Sequence, residues 1–547
     1  MNSGPANRSY SKREIRRSWR FFRFWTYWFS GRRLRAGLSL GLSDEGFGRI
    51  AKLLRRELSS GGATARFEPV VEVRIFGAPV PPEPTEVSYV SLPSTADQEA
   101  LTELNRSLMN FETTWTFVAT EGSDWVEVQR AAALAFSCAS DFDLLYTDEL
   151  YSDEDFPRAR PRRVGPHTLL SGNVIGRHYL IRNSTARAVG GLRKEFKSGS
   201  EFDLFLRMLD EGARFARYDF LIGTPAAWTE PSDLLSATSA ALSRRSLPSI
   251  RSESSIPGLV SWHVYSTEPA QVEILIPTRD RLDLLHQCIE QIERCTTYAH
   301  YTITILNTDS QESETLAYLA TTKHKVVNCP GDFNYARIIN QGAKLSNAEF
   351  LVMLNNDTIV KTSNWLELLL GAALLDDVGV VGAKIVDQNN QVEHSGIAIA
   401  PYPQHIRFGV NIPSTWVEYA GIRNVSAVTG ALHMISRVKW IELGGMDEEL
   451  EVLLNDVDLC MRAELKGWHT VFQPAVTVQH FVSSSRGRLN PKFDRERFIA
   501  HWNLFRGYED LYFPAACSLY ANRLVFNSSV SQLFRWSTVA RALFGRS

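Results

Sequence analysis

The chain has 547 residues, too many for one ordinary hydrophobic core, so two or three domains are expected. Its 44% hydrophobic and 22% charged residues are the balance of a globular chain, and a formal net charge of −2 excludes a global field that would draw it to nucleic acid or membrane. Six scattered cysteines with no Cys-x-x-Cys pair disfavour a zinc module or a disulfide scaffold and suit a reducing compartment.

No apolar run is long enough to span a bilayer, and no segment has the apolar core of a secretory signal. Residues 12–35 are nevertheless basic and densely aromatic: Lys12, Arg13, Arg16, Arg17 and Arg20 alternate with Trp19, Phe21, Phe22, Trp25 and Trp28, up to Arg35. Such rings settle at lipid headgroups and arginines attract anionic lipid, so segment 1–60 reads as a membrane-interface anchor. The same residue types also serve single-stranded nucleic acid, or a basic tail that docks on its own domain. A helix is expected near Glu45–Leu58.

Residues 66–230 carry α/β material. Val70–Phe76 and Val87–Leu92 read as strands, Ser123–Phe136 as a helix, and Asp143–Tyr146 as a short strand ending in acids. A basic loop, Arg158–Arg163, follows. Residues 231–268 are rich in Ser, Pro and Arg and read as a linker, although Leu234–Leu242 has helical spacing. Strands and helices alternate again over 269–510, and 511–547 reads as a tail.

One pattern occurs twice. Gly190-Gly191 leads to Ser200-Glu201-Phe202-Asp203 and Arg207. Gly444-Gly445 leads to Asn455-Asp456-Val457-Asp458 and Arg462. Paired glycines, two acids and an arginine in register imply two copies of one architecture.

The second copy holds the chemistry. Val272–Pro277 and Thr302–Leu306 are expected strands ending in polar turns, which would form a crevice suited to a nucleotide. No glycine-rich phosphate loop is present, so phosphates there would need a metal. Phe350–Leu354 is a short buried strand closing on Asn355-Asn356-Asp357, and Asp357 is either a divalent-metal ligand or part of a turn. Asp456 opens a predicted helix as an N-terminal dipole partner or a general base. His480 ends the apolar run Ala475–Val478, as a structural residue or a ligand. His394 is a weaker candidate. Arg486 could grip a diphosphate or belong to a solvated loop.

Together these residues resemble the family 2 glycosyltransferases of the GT-A fold, and among them the bacterial rhamnosyltransferase-like enzymes that build surface polysaccharides. The resemblance runs from Val272 to Asp510 through ordered motifs. They include Thr278-Arg279-Asp280, Phe333-Asn334-Tyr335, Asn340-Gln341-Gly342, Asn355-Asn356-Asp357, Val428-Thr429-Gly430, Asn455-Asp456 and Ser485-Arg486-Gly487. It implies an α/β protein of two tandem GT-A-like (nucleotide-diphospho-sugar transferase) domains, 66–230 degenerate and 269–510 catalytic. It implies an inverting, metal-dependent transfer of a sugar, rhamnose or another hexose, from a nucleotide-sugar donor to a glycan or lipid-linked glycan acceptor.

Carried over by motif, Asp456 is the base. Asp357 and His480 hold a divalent ion, Mg or Mn. Thr278, Arg279, Asp280, Asn307, Asn340, Asn355, Asn356 and Arg486 bind the donor. The chain departs from the family with Asn307 where an Asp is usual, and with Phe481-Val482 where His-Glu is usual. The first copy resembles an eroded relative: Ser123, in Glu121-Gly122-Ser123-Asp124, replaces the metal-binding acid, while Glu201 keeps the base position. The expected setting is the cytoplasmic face of the cell membrane, with residues 12–35 on anionic lipid and no nucleic-acid partner. The alternative is an inactive carbohydrate- or nucleotide-binding scaffold.

Overall fold

The computed structural model describes residues 87–92, 98–123, 125–137, 139–151, 158–224, 231–266, 269–399, 402–413, 416–481, 492–504, 510–514, 517–520 and 523–526. The basic-aromatic stretch 12–35, the helix expected at 45–58, the strand expected at 70–76 and Arg486 lie outside them. All described residues fall in one compact unit, Ala78–Ser547.

The first sheet has five strands: β1 (Val87–Leu92), β2 (Trp115–Thr120), β3 (Leu144–Tyr151), β4 (Tyr179–Arg182) and β5 (Phe215–Thr224). The order is β1-β2-β4-β3-β5. β2 is buried at every position, as a strand covered on both faces must be. The helix Gln98–Met109 packs Leu101, Leu104 and Leu108 inward, an i, i+3, i+7 stripe.

Residues 231–264, read above as part of a linker, fold. Pro231 opens a helix to Arg244 that buries Leu234, Ala237, Thr238, Ala241 and Leu242. A hairpin follows, β6 (Ser249–Glu253) against β7 (Val260–Val264). The helical spacing of the apolar residues overrides the Ser- and Pro-rich composition.

The second sheet comprises β8 (Val272–Thr278), β9 (Tyr301–Asn307), β10 (Lys325–Asn328), β11 (Phe350–Leu354), β12 (Thr358–Val360), β13 (Val378–Val386) and β14 (Val392–His394). After a separate hairpin, β15 (Ile397–Ile399) with β16 (Pro403–His405), come β17 (Arg423–Val425), β18 (Leu432–Ser436) and β19 (His469–His480). The main path is β10-β9-β8-β11-β18-β13-β19-β12. Part of the expected tail also forms strands: β20 (Cys517–Tyr520) pairs with β21 (Arg523–Phe526).

The two sheets repeat one topology. In the first, β1 and β2 are parallel, β4 is antiparallel to both β2 and β3, and β3 and β5 are parallel. In the second, β8 and β11 are parallel, β18 is antiparallel to both β11 and β13, and β13 and β19 are parallel. Side-chain bonds repeat as well. Arg207 donates to Asp203 at 2.9 Å and to the carbonyls of Val189 and Gly191. Arg462 donates to Asp458 at 2.7 Å and to the carbonyls of Leu443 and Gly445. Asn105 Oδ1 accepts from the Leu192 N–H at 2.9 Å, as Asn340 Oδ1 does from Met446 at 2.9 Å. In both turns the paired glycines have positive φ, which side chains rarely adopt.

Both sheets share one apolar core, running from Val90 and Leu104 through Trp262 to Val352 and Val478.

Candidate active site

β11 is the buried run Phe-Leu-Val-Met-Leu, lying parallel to β8. Its polar end therefore emerges at the carboxyl edge of the sheet, where open α/β folds bind ligands. The turn after it is held by Thr358 Oγ1 donating to the Asn355 carbonyl at 2.7 Å and by Asn356 Nδ2 donating to Thr278 Oγ1 at 3.1 Å. Asp357 is 3% exposed. β12 then pairs with the end of β19, setting Thr358 opposite His480. This brings His480 Nε2 to 3.1 Å from Asp357 Oδ1. Only four residues of this strand, Ala475–Val478, stand out in the sequence, because Gln473 and Pro474 before them and Gln479 after them interrupt its apolar pattern.

Asp456 reaches the same region from another element. Its helix, Asn455–Leu465, starts directly after Leu454, which has a left-handed φ of 66°. The buried carboxylate of Asp494 pins the preceding loop by accepting the N–H groups of Glu451, Val452 and Leu453 at 3.3, 2.9 and 2.8 Å. Asp456 is half-buried; Oδ2 accepts the Gly430 N–H at 2.6 Å and Oδ1 its neighbour Val457's at 2.8 Å.

Tyr335 shares Gly430 with Asp456. Its hydroxyl donates to the Gly430 carbonyl at 3.1 Å, and its N–H to the Glu451 carbonyl at 2.6 Å. Burial, then the charge of Asp456, then that of Asp357 raise its phenol pKa. Tyr335 and Gly430 were visible in the sequence only as members of motifs, and Asp494 carried no signal at all.

The other expected donor contacts divide. Thr278 is buried and meets Asn356, while Arg279 is exposed at the same strand end. Asp280 Oδ1 accepts the N–H groups of Gln311 and Glu312 at 2.6 and 2.8 Å. Asn307 donates to Asn328 at 2.9 Å and accepts from the Ser310 N–H at 3.1 Å. These residues knit the carboxyl ends of β8 and β9 together. Asn340 is engaged elsewhere: Nδ2 donates to the Met446 carbonyl and to Glu448, each at 3.0 Å, and Oδ1 holds the Met446 N–H. His394 faces His405, Nδ1 to Nδ1, at 2.9 Å, and burial holds its pKa well below the usual range.

Among the described residues no three His, Cys, Asp or Glu side chains converge as a metal site. The pair Asp357–His480 offers one oxygen and one nitrogen. That suits an ion of the Mg or Mn type, whose remaining positions are commonly filled by substrate phosphates and water.

The equivalent place in the first half is filled. Glu201 is 3% exposed; it accepts from Tyr179 at 2.5 Å and from Arg177 at 3.2 Å. Glu149, fully buried, accepts from Arg160 at 3.1 Å and from the backbone N–H groups of Arg177 and His178 at 2.6 and 3.0 Å. The register pairs Trp115 with Arg182 and Phe350 with Ser436, each at the end of its strand. Counting on from these, Gly122 rather than Ser123 occupies the place of Asp357.

Residues 269–498 match the profile of the family described as "Glycosyltransferase like family 2". The chain is 29% identical over 378 residues to O-antigen biosynthesis protein RfbC of Myxococcus xanthus, covering 65% of this chain and 30% of that one. It is 26% identical over 383 residues to the uncharacterized protein y4gI of Sinorhizobium fredii, covering 64% and 42%. The chain therefore spans under half the length of either relative. Two solved structures are similar at 14% identity. GalNAc-T7 with UDP, GalNAc and Mn2+ has a TM-score of 0.37 over 44% of this chain and 49% of that one. The mannosyltransferase PcManGT from Pyrobaculum calidifontis, with GDP-Man and Mn2+, has a TM-score of 0.31 over 50% and 81%.

Proposed function

Since residues 269–498 form a glycosyltransferase family 2 domain, we propose that the chain is an inverting, metal-dependent hexosyltransferase, in the rhamnosyltransferase-like group. It moves a sugar from a nucleotide-sugar donor to a glycan acceptor, lipid-linked in its natural setting, during cell-surface polysaccharide assembly. The relative whose name places it in O-antigen biosynthesis supports that setting. The observation that carries the reading is the buried Asp357, 3.1 Å from His480 at the carboxyl edge of the second sheet.

In this reading Asp456 takes the proton of the acceptor hydroxyl. The N–H groups of Gly430 and Val457 fix its orientation toward the incoming hydroxyl. The hydroxyl oxygen attacks the anomeric carbon opposite the leaving diphosphate, through an oxocarbenium-like state, and inverts the centre. Asp357 and His480 would hold the divalent ion, which when bound neutralises charge developing on the diphosphate. Thr278, Arg279, Asp280 and Asn307 stand at the strand ends where the nucleotide would lie, with Asn355 and Asn356 beside them. Arg486 would grip the diphosphate.

The first half is, on the same reading, a second GT-A-like repeat that no longer catalyses. Its identical strand order and the ionic contacts around Glu201 support this. Residues 12–35 would hold the protein on the inner face of the membrane, tested by retention of the full chain on anionic vesicles. The reaction itself is tested with a panel of nucleotide sugars and Mn2+, followed by NMR of the product. Inversion is expected at the anomeric carbon, and retained configuration would overturn the direct displacement. Glu201→Gln should leave transfer unchanged; a large loss would restore a catalytic first half.

A further inference from the structure

A cavity of about 690 Å3 lies far from the carboxylates just described, where the amino ends of equivalent strands from the two sheets meet. Phe142 and Phe215, beside the starts of β3 and β5, line one side; Asp377 and His469, at the starts of β13 and β19, line the other. β19 separates it from His480 by its whole length, on the order of 30 Å. Junctions between halves of a protein are favoured positions for ligand sites.

The walls are mainly apolar, with Leu170, Leu209 and Leu247 joining the two phenylalanines. Arg162, Arg163 and Arg214 are exposed at the rim. Two acids that share the lining, Asp210 and Asp377, have neighbours of their own, and a third, Asp376, is exposed. Asp210 accepts from Arg244 at 2.9 Å and from Arg245 at 2.6 Å, and Asp377 lies 3.2 Å from His167 Nε2. Arg163 has a looser neighbour in Glu464, at 3.7 Å. His167 lines the cavity, is 2% exposed, and its Nδ1 meets no hydrogen-bonding partner among the described residues. A buried polar atom without a partner is costly unless something else completes it.

We propose that this cavity binds an anionic amphiphile. The apolar chain would lie along the leucine and phenylalanine walls, and a phosphate head would meet the three rim arginines, whose forked guanidinium groups suit phosphate oxygens. A polyprenyl phosphate and a phospholipid share this chemistry. Binding here requires no catalysis, so it stands or falls apart from the glycosyl transfer proposed above.

The test is isothermal titration of the full chain with farnesyl monophosphate, dioctanoyl phosphatidylglycerol, farnesol and inorganic phosphate. One-to-one saturable binding of the first or the second is expected, and the tighter of the two identifies the source. Farnesol should bind at least about tenfold more weakly. Leu209→Trp should narrow the apolar wall and weaken binding, and the double variant Arg162→Ala/Arg214→Ala should raise Kd about tenfold. No saturable binding of either amphiphile, equal binding of farnesol, or equally tight binding of phosphate alone would each overturn the proposal. If Leu209→Trp does not fold, an unchanged Kd in the folded arginine variant overturns it.

Discussion

Asp494 offers a test of how Asp456 is positioned. Its carboxylate is 2% exposed and holds three successive N–H groups of the loop leading into the helix of Asp456, two of them at 2.9 and 2.8 Å. A hydrogen bond to a charged acceptor contributes about 1.5–3 kcal/mol, and such bonds are not additive. Asp494→Ala should therefore destabilise the loop by about 3 kcal/mol, enough to free residues 451–454 from one fixed path. A displacement of about 1 Å at a reacting group can cost roughly a hundredfold in rate. The expected result is a kcat lowered roughly tenfold to a hundredfold with donor KM nearly unchanged, because Thr278 and Asn307 sit on other elements. Asp494→Asn keeps one acceptor oxygen and should fall between. Steady-state transfer kinetics, beside a thermal melt that confirms folding, supply the readout. A folded Asp494→Ala protein with wild-type kcat would refute the reasoning.

Other consequences concern stability and the second-sheet core. Burial lowers the His433 pKa to about 4, so the native state refuses a proton that the unfolded chain accepts near 6.5. Stability from this residue is present above pH 6.5 and lost as pH falls toward 4, up to about 3 kcal/mol; denaturant titrations of His433→Leu should show a shallower loss, and an unchanged pH dependence would contradict this. Asn340→Ala should lower stability by about 1–3 kcal/mol through the Met446 turn while leaving donor KM intact; a raised KM with an unchanged melt would return Asn340 to the donor site. At Gly371 a Cβ would run into the Val264 carbonyl, so Gly371→Ala should destabilise by about 3 kcal/mol or more; an unchanged melting temperature would show that the β6–β7 hairpin does not pack there.

Much of this arrangement is legible in the sequence. β11 could be read because five apolar residues stop abruptly at Asn355, and the twice-occurring Gly-Gly pattern because its spacing reflects a closed set of bonds. Arg207 and Arg462 each tie a Gly-Gly turn to a helix, so the acids, the arginine and the glycines must recur together. Composition misled over 231–268, where serines and prolines coexist with a helical stripe that packs into the core. Resemblance alone gave Asn340 a ligand contact and no sign of its turn-holding bond, which its counterpart Asn105 also makes. Asp494 and Tyr335 act through contacts between distant segments, which no local pattern encodes.

The central claim is that Asp357 and Asp456 serve one reaction in different ways. The most direct measurement is Mn2+-dependent binding of nucleoside diphosphate, followed beside sugar transfer, in Asp357→Asn and Asp456→Asn. Loss of both properties is expected in Asp357→Asn. In Asp456→Asn binding should persist while transfer falls by about 10²–10⁴-fold, the usual contribution of a general base. Unimpaired transfer in either variant would contradict the account.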